Sequence, residues 1–232
     1  METRSDIGVI FDCDGTLLDS MGMWHSLDDR IAERAGVQLT QADRDYFTQA
    51  TLRECGDYIH ERYGFGASGA AVEQLIAGEI MHWYADEVVL KPGAASFVRG
   101  LAEAGVPMAV ASSTPAAFLR EGLNNAGLAP YMRAIVSVED VRSSKREPLV
   151  YDTARAALGT ERAVTWGVED AAYALRTLRA AGYRTMSVFD NDIAGTPEQL
   201  KETSDLFVAS FTELTAERFL AIAYAGQDKT HA

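Results

Sequence analysis

The chain has 232 residues, 47% of them hydrophobic, and carries a formal charge of -13. That length suits one domain plus an insert, and the apolar content excludes a disordered chain. The negative charge argues against nucleic-acid or acidic-membrane binding, since both surfaces are anionic. Two cysteines, Cys13 and Cys55, are too few for a disulfide framework and fit a reducing cytoplasm. Met1 to Asp6 is polar and lacks the basic start and apolar run of a signal peptide, and no apolar stretch is long enough to span a bilayer.

The first element is Val9, Ile10 and Phe11, an apolar run of β-formers typical of a strand covered on both faces in a parallel sheet. Asp12 and Asp14 follow at its C-terminal end, where open α/β sheets bind ligands, and Gly15 eases the turn. Two carboxylates this close repel, so a site holding both ionised calls for a cation, and hard oxygen ligands suit Mg²⁺. One aspartate could instead attack phosphorus while its neighbour protonates the leaving oxygen and then activates water. The plainer alternative is an Asx-type turn after a strand. A calcium loop does not fit, because the chain runs into Leu17 and Leu18 without further acidic ligands.

From about Ser20 to Glu87 strand signals stop and helical periodicity takes over. Trp24, Leu27, Ile31 and Ala35 share one face of a helix ended by Gly36, and Val72, Leu75, Ile76, Ile80 and Trp83 repeat the pattern. Lys91-Pro92-Gly93 restarts strand and helix alternation, which divides the chain into an α/β part at 1–18 and 90–232 and a helical part at 19–89. Val106 to Ala111 reads as a buried strand ending in Ser112, Ser113 and Thr114, with Pro115 opening a helix Ala116 to Ala126. A helix start of this kind binds anions, although the hydroxyls also suit simple capping. Lys145 and Arg146 are adjacent cations ahead of Pro148 and Tyr151. A further strand, Ala163 to Val168, ends in Glu169 and Asp170, before a helical stretch Ala171 to Ala181 closed by Gly182. Acids at a helix start also have a structural use, through the helix dipole. Arg184 to Phe189 and Leu206 to Val208 are later strands.

Phe11-Asp12-Cys13-Asp14-Gly15-Thr16, followed in order by Ser112, Lys145 and Glu169-Asp170, resembles the haloacid dehalogenase superfamily. The likeness is to its phosphatase and β-phosphoglucomutase-like branch, with a helical cap inserted after the first motif. It implies an α/β fold, a Rossmann-like parallel sheet core with a small all-helical cap domain. By this resemblance Asp12 is the nucleophile that becomes an aspartyl-phosphate and Asp14 is the general acid/base. Asp12, the backbone carbonyl of Asp14, and Asp170 would hold Mg²⁺, with Glu169 either coordinating as well or orienting the bound waters. Ser112, with amides near Ser113 and Thr114, would hold the phosphoryl group beside Lys145.

The pattern is not followed throughout. Arg146 stands where the family has proline, Leu149 where it has aspartate, and Ala171 and Ala174 where serine and glycine are usual. Arg146 is therefore a competitor for the lysine's role, but the offset from Pro148 and Tyr151 favours Lys145. By the same resemblance a short cap loop meets the substrate, and the matching stretch is Gln49-Ala50-Thr51-Leu52-Arg53-Glu54, where Arg53 is either a contact to the leaving group or an ordinary charge on the first turn of the helix running to Tyr63. Trp24 and His25 are candidate pocket residues just past the hinge, while tryptophan at helical spacing also suits the core. His60 and His82 have no ligand cluster around them that would suit zinc. Cys13 lacks a histidine partner in the sequence nearby and is read as a spectator.

The expected activity is Mg²⁺-dependent hydrolysis of a small phosphorylated metabolite, a phosphomonoester. The alternative is a sugar phosphomutase, which would use the same residues under a cap that excludes water. A catalytically silent binding protein would lack an essential carboxylate, yet Asp12, Asp14 and Asp170 are all present. Dehalogenation is disfavoured because a departing halide needs no proton from Asp14.

Overall fold

A computed structural model describes residues 6–47, 50–191 and 194–227. The chain forms two compact units: Ser20–Glu87 is one, and Met1–Asp19 with Val88–Ala232 is the other. Among the described residues no helix is long and apolar enough to cross a membrane.

The first unit is helical, with α1 at Met21–Ala35, α2 at Gln41–Phe47, α3 at Leu52–Tyr63 and α4 at Gly69–His82, which runs into a π-helical turn at Trp83–Glu87. Helix α1 ends at Gly36, whose φ of 64° is the left-handed cap expected of glycine. Its buried face is Met23, Leu27, Ile31 and Ala32, so the apolar stripe is rotated from the expected one and Trp24 is only half-buried. Thr51 caps α3 through a capping box with Glu54, which puts Leu52 to Glu54 in the helix rather than in a loop. Gln49, expected in that loop, lies outside the described residues. The tightest polar contact in this unit is the buried Asp43 carboxylate. It accepts hydrogen bonds from the Tyr58 hydroxyl at 2.6 Å, the Tyr63 hydroxyl at 2.5 Å and the Thr40 amide at 2.6 Å, and pairs with Arg62 at 3.0 Å.

The second unit holds a six-stranded, wholly parallel sheet in the order β3-β2-β1-β4-β5-β6. The strands are β1 Gly8–Phe11, β2 Met108–Ser112, β3 Met132–Ser137, β4 Thr165–Glu169, β5 Arg184–Val188 and β6 Leu206–Val208. Helices α5 Ala94–Glu103, α6 Ala116–Asn125, α7 Val138–Val141, α8 Leu149–Leu158, α9 Ala172–Ala180, α10 Pro197–Thr203 and α11 Ala216–Gln227 complete it. Every residue of β1, β2 and β4 is buried, as strands covered on both faces require. β2 begins two residues later than the apolar run, because Val106 N bonds back to Leu101 O and Pro107 has no N–H for the ladder. Gly167 lets α9 lie close against β4: a Cβ there would meet Leu178 Cδ1 at 2.4 Å.

This topology fixes where a ligand can bind. The chain runs outward from β1 to β2 and β3, then returns to place β4 on the other side of β1. The order therefore reverses at the β1–β4 pair, and the crevice at the C-terminal ends of these strands is the switch point where such sheets take ligands.

Candidate active site

The β1–β4 register brings the first and fourth sequence motifs together. Phe11 pairs with Val168, and Asp12 N donates to Val168 O at 2.9 Å, so the residues immediately after each strand end up side by side. Ligand oxygens of Asp12, Glu169 and Asp170 all lie within 4.8 Å of one another, and all three residues are buried. The turn after Asp12 closes through Leu17 N and Leu18 N, which donate to Cys13 O at 2.8 and 2.9 Å, with Gly15 at φ 79°. Thr16 Oγ1 donates to Asp12 Oδ2 at 3.0 Å.

Lys145, from the segment between α7 and α8, enters this cluster. Its ammonium donates to Asp12 Oδ1 and, at 2.8 Å, to Glu169 Oε1, and its side chain is 4% exposed. The Tyr151 hydroxyl donates to the same Glu169 oxygen at 2.7 Å. Arg146 takes no part in this: it is exposed, with its guanidinium carbon 5.0 Å from the centre of the Tyr173 ring. Of the two adjacent cations, the fold turns Lys145 inward.

Electrostatics follow from crowding three acids into a buried space. Burial pushes Glu169 up to about 7, with Asp12 adding to the rise and Lys145 opposing it. Burial, then the charges of Asp12 and Glu169, raise Asp170 well above the usual carboxylate range. Burial works against the Lys145 charge, but the carboxylates of Asp12 and Glu169 outweigh it and hold the lysine above its ordinary value. Three carboxylates against one ammonium leave the cluster short of positive charge. Glu169 Oε2 is moreover buried without a hydrogen-bonding partner. An all-oxygen donor set with excess negative charge and one orphaned oxygen fits a hard divalent cation.

Ser112 ends β2 and is 1% exposed; its hydroxyl oxygen accepts from Thr114 N at 3.1 Å. Thr114 in turn donates through Oγ1 to Asp14 Oδ2 at 2.7 Å, which ties the turn after β1 to the start of α6. Ser113 is exposed. The structure thus gathers Asp12, Lys145, Glu169 and Asp170, and links Asp14 with Ser112 through Thr114. Cys13 is buried, and burial followed by the charges of Asp14 and Asp12 pushes its thiol well up, the opposite of an activated nucleophile. Arg53 and Trp24 belong to the helical unit, where Arg53 is paired with Asp57 at 2.9 Å and Glu73 at 3.3 Å.

Thr16, Thr114 and Tyr151 carry hydrogen bonds that sequence reasoning left without a role. Each lay in a stretch the sequence singled out, Thr16 at the end of the first motif, Thr114 beside Ser112 and Tyr151 at its offset from Lys145, but the side-chain bonds appear only in the fold.

The chain is 26% identical over 219 residues to hexitol phosphatase B of Escherichia coli K12, covering 94% of this chain and 98% of that protein. It is 28% identical over 181 residues to phosphoglycolate phosphatase of Cereibacter sphaeroides, covering 76% and 82%. The crystal structure of β-phosphoglucomutase from Clostridium difficile superposes with a TM-score of 0.70 at 19% identity, covering 94% of this chain and 96% of that one, which is a likeness of fold. The model of the haloacid dehalogenase-like hydrolases matches residues 9–188, and the chain belongs to that family.

Proposed function

We propose that this hydrolase is a Mg²⁺-dependent phosphatase acting on a small phosphomonoester through an aspartyl-phosphate on Asp12. The observation that carries the reading is the junction of Asp12, Glu169 and Asp170 around the Lys145 ammonium at the sheet's switch point. Phosphatase names on relatives matched over most of their length favour hydrolysis over transfer back to a sugar.

In the first step a carboxylate oxygen of Asp12 attacks phosphorus and the bond from phosphorus to the ester oxygen breaks. Asp14 gives its proton to the departing oxygen. In the second step water attacks the same phosphorus, Asp14 takes the water's proton, and the Asp12 carboxylate leaves with its electron pair as inorganic phosphate is released. Lys145 and the Ser112 hydroxyl donate to phosphoryl oxygens, charge stabilisation that costs no rearrangement because both side chains are already buried and held. Thr114 keeps Asp14 oriented between the two proton transfers. Asp12, Glu169 and Asp170 would hold Mg²⁺, with the Asp14 carbonyl as the family resemblance implies. The ion's chemistry would be to offset the negative charge of the phosphoryl group beside three acids.

The test is phosphate release from an aryl phosphate and from a panel of small phosphomonoesters with Mg²⁺ present. Activity lost on chelation with EDTA and restored by Mg²⁺ is expected. Undiminished activity in EDTA would overturn the metal reading, and isomerisation of a sugar phosphate without phosphate release would replace hydrolysis by mutase chemistry.

A further inference from the structure

A second, part-buried ion pair lies at the same end of the sheet, in residues given no role above. Lys91 Nζ donates to Asp190, and the two side chains are 12% and 6% exposed. Each partner is attached to one side of the acidic cluster. Lys91 N donates to Leu17 O at 2.9 Å, and Leu17 N closes the turn that carries Asp12 and Asp14. Asp190 follows β5 on the other side. Ala194, a few residues on, accepts at 3.0 Å from Ala172 N, the first residue of α9 and two residues after Asp170. Gly195 continues this close fit, since a Cβ there would lie 3.1 Å from Ala172 Cβ.

Burying an ion pair costs desolvation that an apolar pair would avoid, so Lys91 and Asp190 are not explained by stability alone. What the pair does is tie the turn bearing Asp12 to the residue just past β5, the strand whose Ser187 pairs with Glu169 beside Asp170. We propose that Lys91 and Asp190 are positioning residues that hold Asp170 against Asp12, so that the cluster grips a divalent cation. This rests on the metal reading above.

The experiment is calorimetric titration of Mg²⁺ alone into the full chain, without substrate, for wild type, Lys91→Met, Asp190→Asn and the double variant. Melting temperature is recorded alongside. Positioning predicts that each single change weakens Mg²⁺ binding about tenfold, in line with other residues that support metal ligands. The double variant should be no weaker than the weaker single, because both changes break one link. A pair acting only through charge predicts opposite signs: Lys91→Met would tighten binding by removing a cation, and Asp190→Asn would loosen it. Opposite signs, or binding within about twofold of wild type in both singles, overturn the proposal. Lys91→Gln serves the same comparison if Lys91→Met does not fold. Failure of the wild type to bind Mg²⁺ would instead overturn the metal reading itself.

Discussion

Lys145 Nζ lies 2.8 Å from Glu169 Oε1 while also bonding Asp12, so one ammonium joins the carboxylates that end two neighbouring strands. Removing it leaves buried acids uncompensated and takes a fixed charge from the phosphoryl position. Lys145→Met is expected to lower kcat/KM on an aryl phosphate by about a hundredfold. Arg146→Ala, an exposed change over the Tyr173 ring, should stay within about twofold. A larger loss in Arg146→Ala would transfer the role to that residue.

Asp14 and Thr114 share a 2.7 Å hydrogen bond, and proton donation matters only where the leaving group needs a proton. Asp14→Asn should therefore cut kcat/KM by about a thousandfold for an alkyl phosphate and far less for an aryl phosphate with an acidic phenol. Thr114→Val should show the same leaving-group bias at about a tenfold scale. Equal losses on both substrates would remove Asp14 from the acid's position.

Asp43 makes a prediction about stability rather than activity. Burial alone would raise its carboxyl, but hydrogen bonds from Tyr58, Tyr63 and Thr40 outweigh that and hold it well below the usual carboxylate range. A depressed folded value stabilises the fold above the unfolded aspartate's value of about 3.9, and that contribution is lost as the pH falls below it. Asp43→Asn is expected to cost about 3 kcal/mol at neutral pH, measured by urea unfolding. The gap to wild type should narrow in acid; a gap that stays constant would exclude the charged hydrogen-bond network as its source.

The two thiols should be inert in the folded protein. Burial raises Cys13 well above its ordinary value and raises Cys55 to about 11. Iodoacetamide at neutral pH is expected to leave both unmodified and activity unchanged, with full labelling after unfolding. Rapid loss of activity on alkylation would mean that the turn between Asp12 and Asp14 opens.

What the sequence made legible was local. The buried strands β1 and β2 announce themselves as apolar runs, and the acids and hydroxyls that end β1, β2 and β4 fall where a parallel sheet presents ligands. β3 went unread because it mixes exposed Arg133 with half-buried Ala134 and Ile135, the irregular pattern of an edge strand. Asp43 in the first turn of α2 looks like a solvated partner of the helix dipole, and only folding brings two tyrosines to it. Lys91 and Asp190 meet only through the fold, so neither residue carries a local sign of the other. Between Lys145 and Arg146, the offset from Pro148 and Tyr151 already favours the lysine, and packing carries it inside while its neighbour is left on an aromatic face.

The central claim is that Asp12 accepts the phosphoryl group, and an acyl phosphate can be captured there by reduction. Wild-type protein turning over an aryl phosphate with Mg²⁺ is quenched in borohydride and digested, and the peptide containing residue 12 is sequenced by mass spectrometry. The account predicts reduction of the Asp12 side chain to its alcohol, dependent on substrate and abolished by EDTA. Turnover with Asp12 unreduced and another carboxylate, such as Asp14, carrying the modification would contradict it.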